Sequence, residues 1–375
     1  MVDLKGQYSR LKSSIDSAIS EVLDSSAFIN GPAVSLFAQE LALYNNVGHV
    51  IPCANGTDAL QLAMMALDLR PGDEVIVPVF TYVATAEVIA LLGLTPIFVD
   101  VDPDTFLISP FEVRKKITNK TRAIVPVHLF GQCADMEVLV SIAKEFNLYI
   151  IEDAAQAIGA EYTFSDGTSK KAGTIGDIGT TSFFPSKNLG CYGDGGALFT
   201  DNTEIAAKLK MIANHGQSVR YYHDVIGINS RLDTLQAAIL RVKLSYLDSY
   251  YLSRNNSAMF YDASLSAIKS LRTPKRIPNS THVFHQYTLK CIDIDREELK
   301  AFLNEKGVPS MVYYPVPLHL QKAYQHYGAT EGDFPVSEKL SKQVLSLPIH
   351  TEQSEDELKY ITDNIINFLA TKGCK

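Results

Sequence analysis

The sequence predicts an α/β fold: a large domain with a mostly parallel central sheet, followed by a smaller α+β domain. Two observations carry this reading. Through the first two-thirds of the chain, short runs rich in Val, Ile and Phe alternate with amphipathic stretches. Strands spaced by helices imply βαβ units and a parallel sheet covered on both faces. From about Arg231 the order changes to long helical periodicities around one alternating strand-like run. The large domain is placed at 1–245, with an N-terminal helical segment, and the small one at 246–375.

Taken in order, "CANGTDALQLAMMAL" is the first informative stretch. Asn55 to Asp58 precede Leu60, Met64 and Leu67, which marks a helix start. Strands follow at "DEVIVPVF" (73–80), "PIFVD" (96–100), "AIVPVHLF" (123–130), "LYIIED" (148–153) and "GTTSFF" (179–184). "TAEVIALLG" and "DMEVLVSIAKEFN" read as helices between them. A strand-like Ala197-Leu198-Phe199 comes later. Leu235, Ile239, Val242 and Tyr246 predict one long helix leaving the first domain. "YTLKCIDID" (287–295) alternates like a half-buried strand. Asp295 with Glu298 forms a capping-box pattern for a helix that Gly307 closes. Ser354 with Glu357 repeats that pattern ahead of an apolar stripe of Leu358, Ile361, Ile365 and Phe368.

Composition bounds the function. The 375 residues are 46% apolar and 20% charged, enough for a sizeable core. The net charge of −8 argues against an extended nucleic-acid footprint, yet leaves room for a local anion site. Five scattered cysteines (Cys53, Cys133, Cys191, Cys291 and Cys374) lack CxxC spacing. They argue against a disulfide scaffold or a zinc site, so no metal is expected. The start has no signal-peptide core and no long apolar span appears, which points to a cytosolic protein without a membrane segment.

Chemistry is expected at the carboxyl ends of the strands. "IIEDAAQ" delivers Asp153 to such an end, with Gln156 one turn further on; an isolated aspartate there reads more readily as a helix N-cap. The helix start at Gly56 and Thr57 offers free backbone N–H groups and a positive dipole end to a phosphate. Phe80 and Tyr82 follow a strand, where one ring can cover a planar ligand. In "TTSFFPSKNLGCYGDGGALFT" (180–200), Lys187 sits between two half-buried runs, an expensive place for an ammonium group. Forming a Schiff base with a cofactor aldehyde removes much of that cost. A phosphate seat, a ring cover, an acidic partner and a lysine together meet the requirements of pyridoxal 5'-phosphate. Gly190, Gly193, Gly195 and Gly196 are expected to allow tight turns around it. A nucleotide-hydrolase P-loop is absent.

Six ordered segments ("NGTDAL", "FTYVATAE", "EDAAQ", "TSFFPSKNLGCYGDGGA", "NHGQ" and "NSRLDTLQAAIL") resemble the DegT/DnrJ/EryC1/StrS family of nucleotide-sugar aminotransferases. With "YPVPLHLQ", the wording is most similar to the UDP-N-acetyl-3-oxo-glucuronate 3-aminotransferases. The resemblance implies the PLP-dependent transferase fold type I. It implies that Lys187 binds the cofactor and shuttles protons, while Asp153 pairs with the pyridinium nitrogen. Gln156 is then expected near the ring's phenolic oxygen, Tyr82 on the ring face, and Gly56, Thr57 and Ser182 on the phosphate. Asn229 is expected to reach the cofactor phosphate of a neighbouring subunit, making a shared-site homodimer. Arg231 is the candidate for the substrate's carboxylate or phosphates.

The implied reaction moves an amino group from L-glutamate, leaving 2-oxoglutarate, to a UDP-linked 3-keto sugar for bacterial surface polysaccharide. A dTDP- or UDP-linked keto-6-deoxyhexose is the alternative acceptor. A PLP-binding regulator without turnover is the alternative from another class. His128, His215 and His319 are left without assigned roles, and Cys133 and Cys191 are expected as buried fillers.

Overall fold

A computed structural model describes residues 1–373; Cys374 lies outside them. Seven strands form the main sheet: β1 (His49–Cys53), β2 (Glu74–Pro78), β3 (Thr95–Val99), β4 (Thr121–Ile124), β5 (Tyr149–Asp153), β6 (Ile178–Ser182) and β7 (Gly196–Thr200). Their spatial order is β1-β7-β6-β5-β4-β2-β3. β2, β3, β4, β5 and β6 pair in parallel, and β7 pairs antiparallel with both β6 and β1. β7 is therefore the one reversed strand. Pro52 is accommodated because β1 is an edge, where a missing N–H costs no ladder bond.

Alternation along the strands feeds two apolar layers. Ile51, Val75, Val77, Ala123 and Ile151 face one side, where α3 (Gly56–Ala66), α4 (Ala84–Leu91) and α7 (Thr203–Ile212) pack. Ile76, Ile124 and Ile150 face the other, against α5 (Pro110–Lys116) and α6 (Met136–Phe146). On that same side Val50 and Phe199 meet α1 (Leu4–Ser25), α2 (Pro32–Asn45) and α8 (Thr234–Leu244).

The helix expected to run on from Arg231 is two helices. α8 ends at Leu244, and α9 (Leu247–Leu265) begins after a break at Ser245 and Tyr246. Each packs differently: α8 closes the first core, whereas Ala258, Tyr261 and Leu265 of α9 enter a second core. That core holds a three-stranded antiparallel sheet of β8 (Leu271–Arg272), β9 (Tyr287–Cys291) and β10 (Val344–Leu347). α10 (Arg296–Glu305) and α12 (Glu355–Thr371) cover it, and α11 (Pro335–Gln343) runs into β10.

β9 is buried on both faces rather than half-buried. Tyr287 and Leu289 enter the second core, while Thr288 bonds Ser346 at 2.8 Å and Lys290 bonds Asp104 at 2.7 Å, so its polar face is covered too. Asp295 caps α10 through Glu297 N and Glu298 N, but the Glu298 side chain pairs with Lys372 instead of closing the box. The Ser354–Glu357 box is complete. No helix among the described residues is long and apolar enough to cross a membrane.

Candidate active site

The site is built where four strands end together. Asp153 of β5 stands opposite Thr180 of β6; Ser182 of β6 stands opposite Gly196 of β7, and Gly196 opposite Cys53 of β1. Cys53 leads into α3, and Pro78 of β2 leads through Tyr82 into α4. One sheet edge thus gathers residues from positions 56 to 196.

Glu152 and Asp153 are adjacent carboxylates with opposite fates, because successive side chains leave a strand on opposite faces. Glu152 is fully buried and accepts from Gly173 N, Ile175 N and Gly176 N and from His128 Nε2, at 2.6–2.9 Å. Burial alone would raise its pKa, but His128 and the backbone donors outweigh that and lower it. His128 Nδ1 accepts from Ala134 N at 3.1 Å, which places the ring proton on Nε2. His128 is therefore a structural strut. Among the described residues Asp153, 6% exposed, accepts only from Thr85 Oγ1 at 2.8 Å and Ala155 N at 3.2 Å. A carboxylate has about four acceptor positions, so Asp153 retains capacity for another donor. No helix starts after it: residues 155–159 form turns, so the N-cap reading fails.

Lys187 lies on the loop leaving β6. Its side chain is half-buried, and its amine makes no hydrogen bond among the described residues. Desolvation draws its pKa down to about 8, and the Asp153 carboxylate partly offsets this. The two groups therefore share one electrostatic environment, with no intervening salt bridge fixing the amine. His215 is exposed, and His319 is buried on Glu338 at 3.0 Å, so neither joins this set.

The phosphate seat is a matter of close approach. Asn55 caps α3 by accepting from Asp58 N at 2.8 Å, leaving the first-turn N–H groups of Gly56 and Thr57 without intrahelical acceptors. A Cβ on Gly56 would stand 2.7 Å from Ser182 Cβ, and one on Gly196 would stand 2.5 Å from the Asn55 carbonyl. Glycine at both positions lets the helix start press against β6 and β7. The role of Gly196 is thus steric room, not the turn conformation expected from sequence. Ser182 Oγ accepts from Phe184 N at 3.2 Å and keeps its own proton to donate.

The remaining candidates are placed as follows. Phe80 is a core residue at 1% exposure, whereas Tyr82 is 58% exposed, beside Tyr314 at 6.4 Å between ring centroids. Gln156 is buried; Phe130 N donates to its Oε1 at 2.8 Å, and its amide donates to Tyr314 Oη at 3.1 Å. One amide N–H of Gln156 remains. Asn229 is exposed and Arg231 half-buried, and neither side chain has a hydrogen bond or ion pair among the described residues. Both flank Ser230, whose hydroxyl accepts from Ala54 N at 3.0 Å, which ties their segment to the phosphate seat.

Three site residues escaped the sequence reading. Thr85 is the second residue of α4 and fully buried, and its contact with Asp153 spans 68 positions, so its neighbours in sequence give no sign of it. Tyr314 belongs to "YPVPLHLQ", but its contact with Gln156 spans 158 positions, so no local signal announces it. Burial holds His285, near Lys187, well below the usual imidazole range, and Lys187 and Arg254 add to this; its Nδ1 has no partner. Cys133 and Cys191 are buried, as expected.

A groove of about 590 Å³ between α1, α2 and α8 includes none of these residues, so volume alone does not locate the chemistry. The donor set does. An uncommitted amine, a carboxylate with spare acceptors and two free N–H groups beside a hydroxyl match the aldehyde, ring nitrogen and phosphate of PLP.

Comparison with known proteins agrees. Residues 9–366 match the family described as DegT/DnrJ/EryC1/StrS aminotransferases. The chain is 47% identical to a "pleiotropic regulatory protein" of Geobacillus stearothermophilus, over 98% of each chain. It is 45% identical to the UDP-2-acetamido-2-deoxy-3-oxo-D-glucuronate aminotransferase of Pseudomonas aeruginosa, over 98% of this chain and 99% of that one. The crystal structure of S. venezuelae DesV with a ketimine intermediate superposes with a TM-score of 0.94 at 40% identity, covering 98% of this chain and 97% of that one. Lys187, Asp153, the open N–H groups at the start of α3 and the mostly parallel sheet that assembles them thus occur in a chain that belongs to the DegT/DnrJ/EryC1/StrS aminotransferase family.

Proposed function

We propose that the protein is a PLP-dependent aminotransferase that moves an amino group from L-glutamate to a UDP-linked 3-keto sugar, with UDP-2-acetamido-3-oxo-glucuronate as acceptor, for bacterial surface polysaccharide. The observation that carries the reading is the Lys187 amine, unbonded and drawn down to about 8 within the field of Asp153. The relative from Pseudomonas aeruginosa supports the choice of sugar.

PLP supplies an aldehyde that holds amines and a ring that withdraws electrons. The chain supplies the rest. Gly56 N, Thr57 N and the Ser182 hydroxyl bind the phosphate, with the positive end of α3 behind them. Asp153 accepts from the ring nitrogen, and Tyr82 covers the ring face. Gln156, held by Phe130 and Tyr314, turns its remaining N–H to the ring's phenolic oxygen. Lys187 Nζ, partly neutral near pH 8, takes a proton from one carbon and returns it to another. Arg231 clamps an oxyanion of the substrate. Asn229 serves the site of a second copy, so a homodimer is the working unit.

The experiment is to incubate the protein with glutamate and each keto sugar, then to locate the new amine by NMR. Amination at C3 of the uronic acid is expected. Amination only at C4 of a keto-6-deoxyhexose would overturn the assignment. The relative from Geobacillus stearothermophilus favours a second reading, a regulator without turnover. Glutamate separates the two: an enzyme loses its visible cofactor absorbance on mixing, whereas a regulator keeps it.

A further inference from the structure

The Thr85 hydroxyl is committed to Asp153. It is fully buried, and Oγ1 stands 2.8 Å from Asp153 Oδ2, across 68 positions of sequence. A threonine inside a helix ordinarily returns its hydroxyl to a carbonyl three or four residues back. Thr85, the second residue of α4, instead reaches over to the end of β5. Its proton can serve one acceptor, and the acceptor is a carboxylate, so the bond is charge-assisted.

A consequence follows from elementary chemistry. A carboxylate's terminal torsion is broad, and a single backbone donor at 3.2 Å, Ala155 N, fixes its plane poorly. A second donor on the other oxygen defines that plane.

We propose that Thr85 is a positioning residue: it holds the Asp153 carboxylate in one plane, so that a bound pyridine ring meets a fixed acceptor for the proton on its nitrogen. This inference rests on the reading of the site as one for PLP. Asp153 remains the group that touches the ring, and Thr85 acts through it.

The test compares Thr85→Val, which keeps the shape and removes the hydroxyl, with Thr85→Ser, which keeps the hydroxyl. Two quantities are read on the whole protein: the dissociation constant of PLP, and the ¹⁵N resonance of the ring nitrogen in bound ¹⁵N-labelled PLP. Thr85→Val is expected to weaken PLP binding by up to about 10-fold, part of the worth of a hydrogen bond to a charged group, because the bond already exists before PLP arrives. Its ring resonance is expected to move toward the unprotonated position, whereas Thr85→Ser keeps both properties. Should the valine variant misfold, Thr85→Ala carries the same comparison without apolar bulk beside the acid. A valine variant like wild type in both readouts overturns the inference alone. Weakened binding with an unmoved resonance overturns it too, because it reveals mere packing. A wild-type protein that takes up no PLP overturns the reading of the site, and the inference with it.

Discussion

Lys187 keeps a half-buried amine without a hydrogen bond among the described residues, whereas the buried Lys243 amine donates to Gly190 O at 2.6 Å. The placement of Lys187 has a measurable consequence. Its pKa is lowered from the ordinary lysine value to about 8, chiefly by desolvation. For a base lowered by folding, the charged form penalises the native state. The penalty is complete below about pH 8 and fades as pH rises toward 10.5. Cofactor-stripped Lys187→Met is therefore expected to be more stable than stripped wild type at pH 7, by about 2 kcal/mol. The figure is below the full worth of the shift because a half-buried amine keeps part of its hydration. Urea unfolding from pH 7 to pH 10.5 checks this, with the difference expected to shrink as pH rises. A difference constant across that range would assign the gain to packing. The same substitution is expected to abolish transamination. Lys187 and Asp153 were legible in sequence because each stands at the end of a β-rich run where burial of charge needs a reason. Tyr314 and His285 were not, because only tertiary folding brings them to the site.

At the scale of elements, β5 shows how one strand serves stability and chemistry at once. Glu152 collects three backbone N–H groups and His128, while Asp153 on the opposite face is left open to a ligand. Glu152→Gln would turn an amide NH₂ toward groups that are all donors. We expect a loss of about 3 kcal/mol or more, from buried donors left unpaired. Chemical denaturation reads the loss, and the folded fraction should still bind PLP because Asp153 is untouched. Unchanged stability would remove Glu152 from its role as the strut of that turn. The parallel strands were readable because burial on both faces leaves unbroken Val and Ile runs. β1 escaped because "HVIPC" carries a proline, which only its edge position allows. The break at Ser245 and Tyr246 escaped because an apolar stripe runs through it. Periodicity reports which face is buried, not that the body covering it has changed.

For the whole molecule, one group of exposed apolar side chains lies near the segment that bears Asn229. Val219, Tyr221, Tyr222 and Ile226 are 63–87% exposed on and beside a hairpin at 217–223, and Phe28 and Ile29 are 44% and 54% exposed near Asp233. Exposed apolar groups in such number are unusual on a lone chain and suit an interface between copies. The Asn229 side chain, exposed and without a hydrogen bond among the described residues, would then face the other copy's phosphate seat. A closed twofold pair would exchange one such segment in each direction. This arrangement predicts complementation between two defective proteins. Lys187→Ala lacks the amine, and Asn229→Ala lacks the contribution made to its neighbour. A mixed dimer holds one site with both defects and one with neither. Random exchange of equal amounts should restore roughly a quarter of wild-type activity, since half the dimers are mixed and half their sites are intact. Subunit exchange is confirmed by native mass spectrometry, with Asn229→Ala first established as impaired alone. Had Asn229 acted within its own subunit, each half of the mixed dimer would keep one defect. Activity would then stay at the mean of the two parents, and the shared site would be excluded.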